Sequence, residues 1–350
     1  MELPSVVMKI PQNLSLHNAV NFCMRLGHLR VSESVVFDCS AVQHVEPFTM
    51  AYVSTEIRRF QESNNGLRVE FTNYENSSYA AHMGFFRAAG VDFGNAPGQA
   101  RGGVNYIPLT ILNVGEIQRE AADSYEPVGN IIERRSLDLA KMLTQKEAGE
   151  LVDTLTYSLR EVMRNVVEHS GSDVLEFCAQ YWPSRKKIEI AVLDSGMGIR
   201  ASLSNNPHLK LQSDRDAVHV ALMPAISGKM FKGVKKRSND VWQNSGFGLY
   251  MTNRIARNGG SFFLCSGKSG LLLDGRTKKD VRTNFSGTAL RMVIHTQRID
   301  DLASSLKKYR DEGYELAKSY DRDRPIEPSI ASTMLFRDFS KEVETIRSTG

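Results

Sequence analysis

The sequence predicts a mixed α/β fold of the α+β type, arranged as two domains and a helical C-terminal extension. The chain has 350 residues, and domains most often have roughly 100 to 150, so two domains are favoured over one. Apolar residues follow the period of a strand and the period of a helix by turns along most of the chain. A glycine-rich stretch at residues 94–103 interrupts this pattern. We place the domain boundary at that stretch.

Strand and helix patterns alternate over the first domain, residues 1–93. The predicted strands and helices, in chain order, are 5–10, 17–26, 34–38, 48–60, 67–71 and 77–89. Gly27 and Gly90 follow the first and third helices, and glycine is common there because it tolerates the backbone conformation beyond a helix end. This alternation is typical of an α/β layer.

The second predicted domain spans residues 106–297 and follows a linker over 94–105, where GNAPGQARGG carries four glycines and a proline. Its predicted strands are 106–112, 174–181, 187–193, 261–266 and 288–295. A helical pattern covers 136–170 with a break near Thr144, and another begins near Gly246. The second and third strands are predicted to pair antiparallel through the turn at 183–185. We expect an α+β sandwich with helices on one face.

Residues 298–350 form the predicted C-terminal extension. Helical spacing continues through Leu302, Leu306 and Tyr309, a breaker with two prolines follows at 324–328, and a second amphipathic stretch covers 330–343. Acidic and basic residues are almost balanced here, which is typical of a solvated helical face. We expect these helices to dock on the main body or on a second subunit.

Composition excludes several classes of protein. The net charge of +4 is too small to indicate a nucleic-acid partner. No apolar run approaches the roughly 18 residues that cross a bilayer, and the first residues lack the pattern of a secretory signal. The four cysteines form no C-x-x-C pair, so neither a zinc site nor a disulfide framework is expected. A cytoplasmic protein with reduced, buried thiols and no membrane partner is the simplest interpretation.

A line of polar side chains occurs in the helix predicted to end near residue 170. Glu161, Asn165 and His169 are four residues apart, which places them on one side of a helix. The carboxylate could orient a water molecule and the amide could ligate a hard cation, as magnesium-assisted phosphate chemistry requires. An ordinary exposed polar face is the alternative.

A carboxylate and two glycines follow the predicted strand 187–193. Asp194 stands at the strand end, where it could accept a hydrogen bond from the amine of adenine. Gly196 and Gly198 would let the backbone approach a ligand closely. A plain Asp-Gly turn is the alternative.

Two further motifs complete a possible nucleotide site. Gly246 and Gly248 precede an amphipathic helix whose free N–H groups and positive dipole end could hold phosphate oxygens. Thr288 begins a predicted strand, and its hydroxyl could close the floor of a base pocket. The SGKS run at 266–269 has the wrong spacing for a P-loop and is not followed by a helical pattern.

In this order, E-x-x-x-N, D-x-G-x-G-I, G-x-G-L and G-T resemble the N, G1, G2 and G3 boxes of the GHKL ATPase superfamily, which includes gyrase B and histidine-kinase ATP-binding domains. The resemblance covers about residues 106–297 and implies the Bergerat fold, with ATP and Mg²⁺ as cofactors. It implies that Asn165 is the magnesium ligand and that Glu161 is the general base of hydrolysing members. It also implies nucleotide contacts for Asp194, Gly196, Gly198, Ile199, Gly246, Gly248, Leu249 and Thr288.

The lid that this resemblance implies would span residues 200–244. Five basic side chains lie between Lys229 and Arg237. They could cover a γ-phosphate, and Lys229 is therefore included among the predicted nucleotide contacts. A solvated polar loop is the alternative.

The first domain is similar to the STAS fold of anti-sigma-factor antagonists, through strand 34–38 and the turn and helix after it. The turn of that family carries a serine that a GHKL kinase phosphorylates, whereas Glu46, Pro47 and Thr49 are found here. Thr49 or Ser40 are the nearby hydroxyls that could take phosphate.

Three functions therefore stay open. The favoured one is a Mg-ATP-binding and ATP-hydrolysing regulatory protein, whose nucleotide state is coupled to the STAS-like domain and to a protein partner or homodimer. The second is an anti-sigma-type protein serine/threonine kinase. The third is a non-catalytic nucleotide-binding interaction module.

Overall fold

The protein is described by a computed structural model over residues 6–29, 34–101, 105–229, 246–275, 277–299 and 302–320. It is a mixed α/β protein, as predicted, and its elements form three layers. An N-terminal α/β layer covers one face of a central five-stranded sheet, and helices cover the other face.

The N-terminal layer contains a small parallel sheet with helices packed against it. Its elements are β1 (Val6–Lys9), β2 (Asn13–Leu14), α1 (Leu16–Gly27), β3 (Ser34–Asp38), β4 (His44–Val45), α2 (Pro47–Ser63), β5 (Arg68–Thr72), α3 (Ser78–His82) and α4 (Phe85–Ala88). The sheet order is β1-β3-β5, and β2 pairs with β4. The third predicted helix, 77–89, is wrong as one element because Gly84 takes a φ of +92° and divides it into α3 and α4.

The rest of the chain forms the central sheet and the helical layer. Its elements are β6 (Tyr106–Asn113), α5 (Val114–Asp123), α6 (Val128–Thr144), α7 (Glu150–Asn165), β7 (Val174–Trp182), β8 (Lys187–Asp194), α8 (Gly198–Leu203), α9 (Asp214–Ala221), α10 (Gly248–Arg257), β9 (Ser261–Asp274), β10 (Thr277–His295) and α11 (Leu302–Tyr320). The sheet order is β6-β7-β8-β10-β9, and all neighbours are antiparallel. The predicted antiparallel pair through 183–185 is confirmed as β7 and β8.

Several predicted bounds differ in this part of the chain. The helix expected from residue 136 begins at Val128, and α5 was not predicted at all. Strands β9 and β10 are much longer than predicted and form one long hairpin. Thr288 therefore lies inside β10, next to a shift in its register with β9, and does not begin the strand. Polar residues and Gly267 interrupt the apolar alternation of this hairpin, so its length depends on backbone pairing between strands.

Successive residues of the central strands point to opposite faces of the sheet, and both faces are buried. Val192 of β8 and Leu264 of β9 belong to the core beneath the helices, whereas Leu193 and Cys265 belong to the core shared with the N-terminal layer. This is the two-residue period of a strand that is covered on both sides. All four cysteines are buried and free, as predicted.

Helix α2 makes the main contacts between the N-terminal layer and the sheet. Phe48 meets Phe263 edge to face at 5.6 Å, and Tyr52 stacks on Phe285 at 5.0 Å between ring centroids. The Thr55 hydroxyl donates to a carboxylate oxygen of Glu176 at 2.8 Å. The placement of a domain boundary at 94–103 stays a prediction, and across it the two parts share one hydrophobic core.

Buried charges at the start of α2 are paired across the same interface. Arg291 of β10 contacts carboxylate oxygens of both Glu46 and Glu189, at 2.9 and 2.7 Å. The second oxygen of Glu189 accepts a hydrogen bond from the Phe48 amide at 3.2 Å. Such pairing is required because an isolated buried carboxylate would be strongly unfavourable.

The C-terminal extension is described as far as Tyr320. Helix α11 confirms the helical pattern through Leu302, Leu306 and Tyr309, and it packs on the helical layer, where Leu316 is buried. The predicted breaker and second amphipathic stretch lie outside the described residues. In the part of the chain that is described, no helix combines the length and apolar character needed to cross a membrane.

Candidate functional site

One cavity lies between the central sheet and the helical layer, at the end of α7. Its volume is about 110 Å³, which is smaller than the roughly 300 Å³ or more of pockets for drug-sized ligands. The described walls thus enclose space for part of a nucleotide. Eight of the predicted site residues line it: Asn165, Asp194, Gly198, Ile199, Gly246, Gly248, Leu249 and Thr288.

Asn165 is the last residue of α7 and faces this cavity. After it, Val166–Ser170 winds as a π-helix, a form that is rare and often found at functional sites. The side-chain Nδ2 of Asn165 is buried and has no hydrogen-bond partner. Since buried polar groups are nearly always paired, this amide is an unsatisfied group that a ligand could complete.

His169 lies in the π-helical turn and also lines the cavity. The continuous α-helix predicted through residue 170 is therefore wrong in its last turn. Burial lowers the pKa of His169 to about 4, and the nearby charges of Lys229 and Arg164 act in the same direction. The imidazole is consequently neutral at pH 7.

Asp194 ends β8 and is 4% exposed. Its Oδ1 accepts a hydrogen bond from the Gly196 amide at 2.8 Å, and it pairs in register with Thr288 of β10. Burial raises the pKa of Asp194 from its ordinary value of 3.8 to about 6, although the hydrogen bonds from Gly196 and Thr288 oppose the change. The carboxylate is charged at pH 7 and accepts hydrogen bonds inside the cavity.

This geometry predicts that Asp194→Asn stabilises the fold at neutral pH. A pKa raised from 3.8 to about 6 means that protonation of Asp194 stabilises the folded protein relative to the unfolded chain by about 3 kcal/mol. In the wild type that stabilisation is fully present below about pH 3.8 and is lost as the pH rises through about 6. The variant should therefore unfold with a free energy higher by about 1 to 3 kcal/mol at about pH 8, and the difference should shrink towards about pH 4. Urea unfolding at several pH values measures it.

Asp92→Asn is the matched control, because the Asp92 side chain is 84% exposed. Its unfolding free energy should follow the wild type within about 0.5 kcal/mol at every pH. An Asp194→Asn protein with the same pH dependence as the wild type would contradict the assignment of the buried charge.

The turn after Asp194 is closely packed around its glycines. A methyl group on Gly196 would lie 2.1 Å from the carbonyl oxygen of Ser170. Gly198 has a φ of +78°, and a methyl group there would lie 2.8 Å from Ser266 Oγ. Glycine at these two positions thus lets the turn lie directly against the end of the π-helical segment and against β9. Gly196 supports the turn and is not among the residues that line the cavity.

Helix α10 begins at the cavity, as the motif around Gly246 predicts. Gly246 has a φ of +73° and lies against the backbone of Ile226, and Gly248 is the first residue of the helix. The first amide groups of a helix have no partner within it, and they carry its positive dipole end. This end of the cavity can therefore receive an anionic group.

Glu161 lies one helical turn before Asn165, behind the start of α10, and does not line the cavity. Its Oε2 is 2.5 Å from the position that a methyl group on Gly248 would take. Its Oε1 accepts hydrogen bonds from Arg160 at 3.0 and 3.1 Å. In this arrangement the carboxylate is held in an ion pair next to the predicted phosphate end.

Lys229 is the part of the predicted basic lid that the structure describes. It is exposed, does not line the cavity, and its Nζ donates to the carbonyl of Glu168. The four other basic residues of the run lie outside the described residues. Helices α8 and α9 occupy the first part of the predicted lid, and the side chains of Arg215 and His219 in α9 contact Asp280 of β10.

Sequence reasoning missed several residues that build the site. Ser172 Oγ accepts a hydrogen bond from the Ser195 amide at 3.1 Å, and the Ser170 carbonyl accepts one from the Met197 amide at 2.8 Å. Ser266 of β9 accepts from the Ile199 amide at 2.9 Å. Serine is common in loops and strands alike, so no local pattern could have identified these three.

The hydroxyl groups predicted as phosphate acceptors differ in access. Thr49 is fully buried, and its hydroxyl donates to the carbonyl of Glu46 at the start of α2. Ser40 is exposed, and its hydroxyl donates to Asp38 at 3.0 Å. Thr49 is therefore inaccessible to a kinase in this conformation, whereas Ser40 is accessible.

Comparison with known proteins yields no assignment. No protein-family model matches the chain, and no curated protein shows significant similarity to it. The geometry of this cavity and the order of the four motifs are therefore the features that point to a function.

Proposed function

We propose that this chain binds Mg-ATP in the cavity beside Asp194 and couples nucleotide occupancy to its N-terminal α/β layer. The observation that supports this best is that eight residues from four separate motifs line one cavity. The adenine amine would donate to Asp194, and the phosphates would extend to the first amides of α10. The resemblance of these motifs to GHKL ATPases and of the first domain to STAS proteins is part of the same proposal.

The residues present fit a magnesium ion that is bound mainly through the nucleotide. Mg²⁺ commonly uses one or two protein oxygens together with substrate phosphates and water. Asn165, which lines the cavity, would supply the protein oxygen, and its unpartnered Nδ2 could donate to a phosphate oxygen. The bound ion would neutralise phosphate charge. No cluster of three or more His, Cys, Asp or Glu side chains able to hold a metal occurs among the described residues.

A non-catalytic nucleotide-binding module is the second candidate, and the position of Glu161 favours it. A general base must be able to reach the attacking water. Here the Glu161 carboxylate pairs with Arg160 and lies behind the cavity wall. Hydrolysis would require the other oxygen, Oε2, which lies beside Gly248, to reach the attacking water. In either function, a protein partner or a second copy of the chain would respond to the nucleotide state.

Titration calorimetry with ATP, with and without magnesium, tests the proposal directly. We expect wild type and Glu161→Ala to bind Mg-ATP with affinities within about threefold of each other, because Glu161 is outside the cavity. If the protein hydrolyses ATP with Glu161 as base, phosphate release by Glu161→Ala should fall by at least about 100-fold. Phosphotransfer to protein is measured in the same samples.

Glu147→Ala is the control, since the Glu147 side chain is 91% exposed. It should match the wild type in binding and in phosphate release. No binding of ATP by the wild type in the presence of magnesium would overturn the proposed function. Binding without any phosphate release or transfer would select the non-catalytic module.

A further inference from the structure

Helix α2 of the N-terminal layer extends to the turn that carries Asp194. Its Arg59 donates from Nη2 to Ser195 Oγ at 2.8 Å, and Ser195 directly follows Asp194. The guanidinium also lies 4.3 Å from the ring centroid of Phe285 and pairs with Glu56 at 2.8 Å. The Arg59 side chain is 19% exposed and is held on three sides, whereas Ser195 is exposed, so their hydrogen bond lies at the edge of the interface.

The turn has a layer of protein on each side. Asp194 shares the face of the sheet that lies under the helices, where it lines the cavity. Ser195 is the next residue, and its side chain contacts the N-terminal layer through Arg59. The other anchors of the turn are Ser170, Ser172 and Ser266, which come from the central part of the chain. Arg59 thus joins the two layers at the residue next to the predicted adenine acceptor.

The hydrogen bond between Arg59 and Ser195 depends on the position of the whole of α2. Phe48, Tyr52, Thr55 and Arg59 occur at spacings of four, three and four residues, so they share one face of the helix. The first three contact the sheet at Phe263, Phe285 and Glu176. A shift of α2 along the sheet would therefore change the geometry of Arg59 and Ser195.

We infer that Arg59 is the positioning residue through which the N-terminal layer sets the nucleotide affinity of the cavity. This inference rests on the proposed function and adds the regulation of that same site. Arg59 would act in two ways. Its hydrogen bond fixes Ser195 and, through the backbone, the orientation of Asp194. Its positive charge also favours the charged form of Asp194, which is the stronger hydrogen-bond acceptor.

By thermodynamic reciprocity, a contact that transmits the state of α2 to the nucleotide must also transmit nucleotide binding to α2. ATP should therefore slow amide hydrogen exchange at the C-terminal end of α2 in the wild type. If Arg59 only stabilised the fold, replacing it would not change how ATP affects hydrogen exchange in α2.

The test compares Arg59→Ala with the wild type in Mg-ATP titrations and in hydrogen exchange. We expect the variant to bind Mg-ATP about tenfold more weakly, since hydrogen bonds of charged groups contribute more than neutral ones. The ATP-dependent protection of α2 should disappear. Ser195→Ala alone should weaken binding by a smaller factor, because the Arg59 charge remains, and Arg59→Ala with Ser195→Ala should lose little more than Arg59→Ala.

Arg68→Ala is the matched control, because Arg68 lies in the same layer with a 77% exposed side chain. It should bind Mg-ATP like the wild type and keep the protection of α2. If the wild type binds Mg-ATP while Arg59→Ala keeps the same affinity and the same ATP-dependent protection of α2, the proposed function stands and this inference is overturned. Independent, additive losses from Arg59→Ala and Ser195→Ala would also overturn it. No Mg-ATP binding by the wild type would overturn the proposed function as well.

Discussion

Asn165→Ala should lose at least about 100-fold in magnesium-dependent affinity for ATP while the protein stays folded. Removing the outer partner of a metal ligand commonly costs 10- to 100-fold in metal affinity, so removing the ligand itself should reach the upper end or exceed it. The fold should not suffer, because Nδ2 of Asn165 is buried without a partner. An unsatisfied buried donor costs about 1 to 3 kcal/mol, which the alanine would no longer carry.

Calorimetry with and without magnesium and urea unfolding measure the two effects together. Asn18→Ala is the control: the Asn18 amide donates to the Asn13 carbonyl beside α1, away from the cavity. That variant should bind Mg-ATP like the wild type. An Asn165→Ala protein that is folded and binds Mg-ATP within about threefold of the wild type would remove Asn165 from the site.

Tyr52→Ala should lower the free energy of unfolding by about 3 to 5 kcal/mol, as other large-to-small changes of buried aromatic residues do. The Tyr52 ring is 1% exposed and lies between Phe48 and Phe285, at 5.2 and 5.0 Å from their ring centroids. Its loss would leave a cavity in the core that the N-terminal layer shares with the central sheet. Because the two parts share this core, we expect them to unfold together.

Urea unfolding followed by circular dichroism and tryptophan fluorescence checks this prediction. Tyr125→Ala is the matched control, since Tyr125 is 97% exposed. It should change stability by less than about 0.5 kcal/mol. A Tyr52→Ala loss below about 1 kcal/mol would show that the two layers pack only loosely.

Regular elements with a strong local pattern were predictable. The strand at 34–38 has the predicted bounds, and β8 extends the predicted strand 187–193 by one residue. Prediction failed where the type or the length of an element depends on one backbone angle or on pairing with a distant strand. Gly84 divides one predicted helix, the turn after Asn165 is π-helical, and the β9-β10 hairpin continues beyond its apolar alternation. Each of these depends on conformations or partners that apolar periodicity does not report.

The candidate site could be predicted in part. Asn165, Asp194 and Gly248 stand at a helix end, a strand end and a helix start, which sequence patterns mark with capping and glycine preferences. Glu161 was predicted from its spacing to Asn165. Spacing alone could not show that its carboxylate pairs with Arg160 behind the cavity. Arg59, which is 136 residues from Ser195, has no local signal at all.

Local composition and periodicity are enough to predict the mixed α/β class, most elements, the buried cysteines and the order of the four motifs. The tertiary structure alone decided that the N-terminal layer covers the second face of the sheet and that Arg59 lies beside the Asp194 turn. Those relations join residues more than 100 positions apart. They depend on which apolar surfaces pack against each other. Periodicity along the chain shows which surfaces are apolar, but it does not show which surface each one packs against.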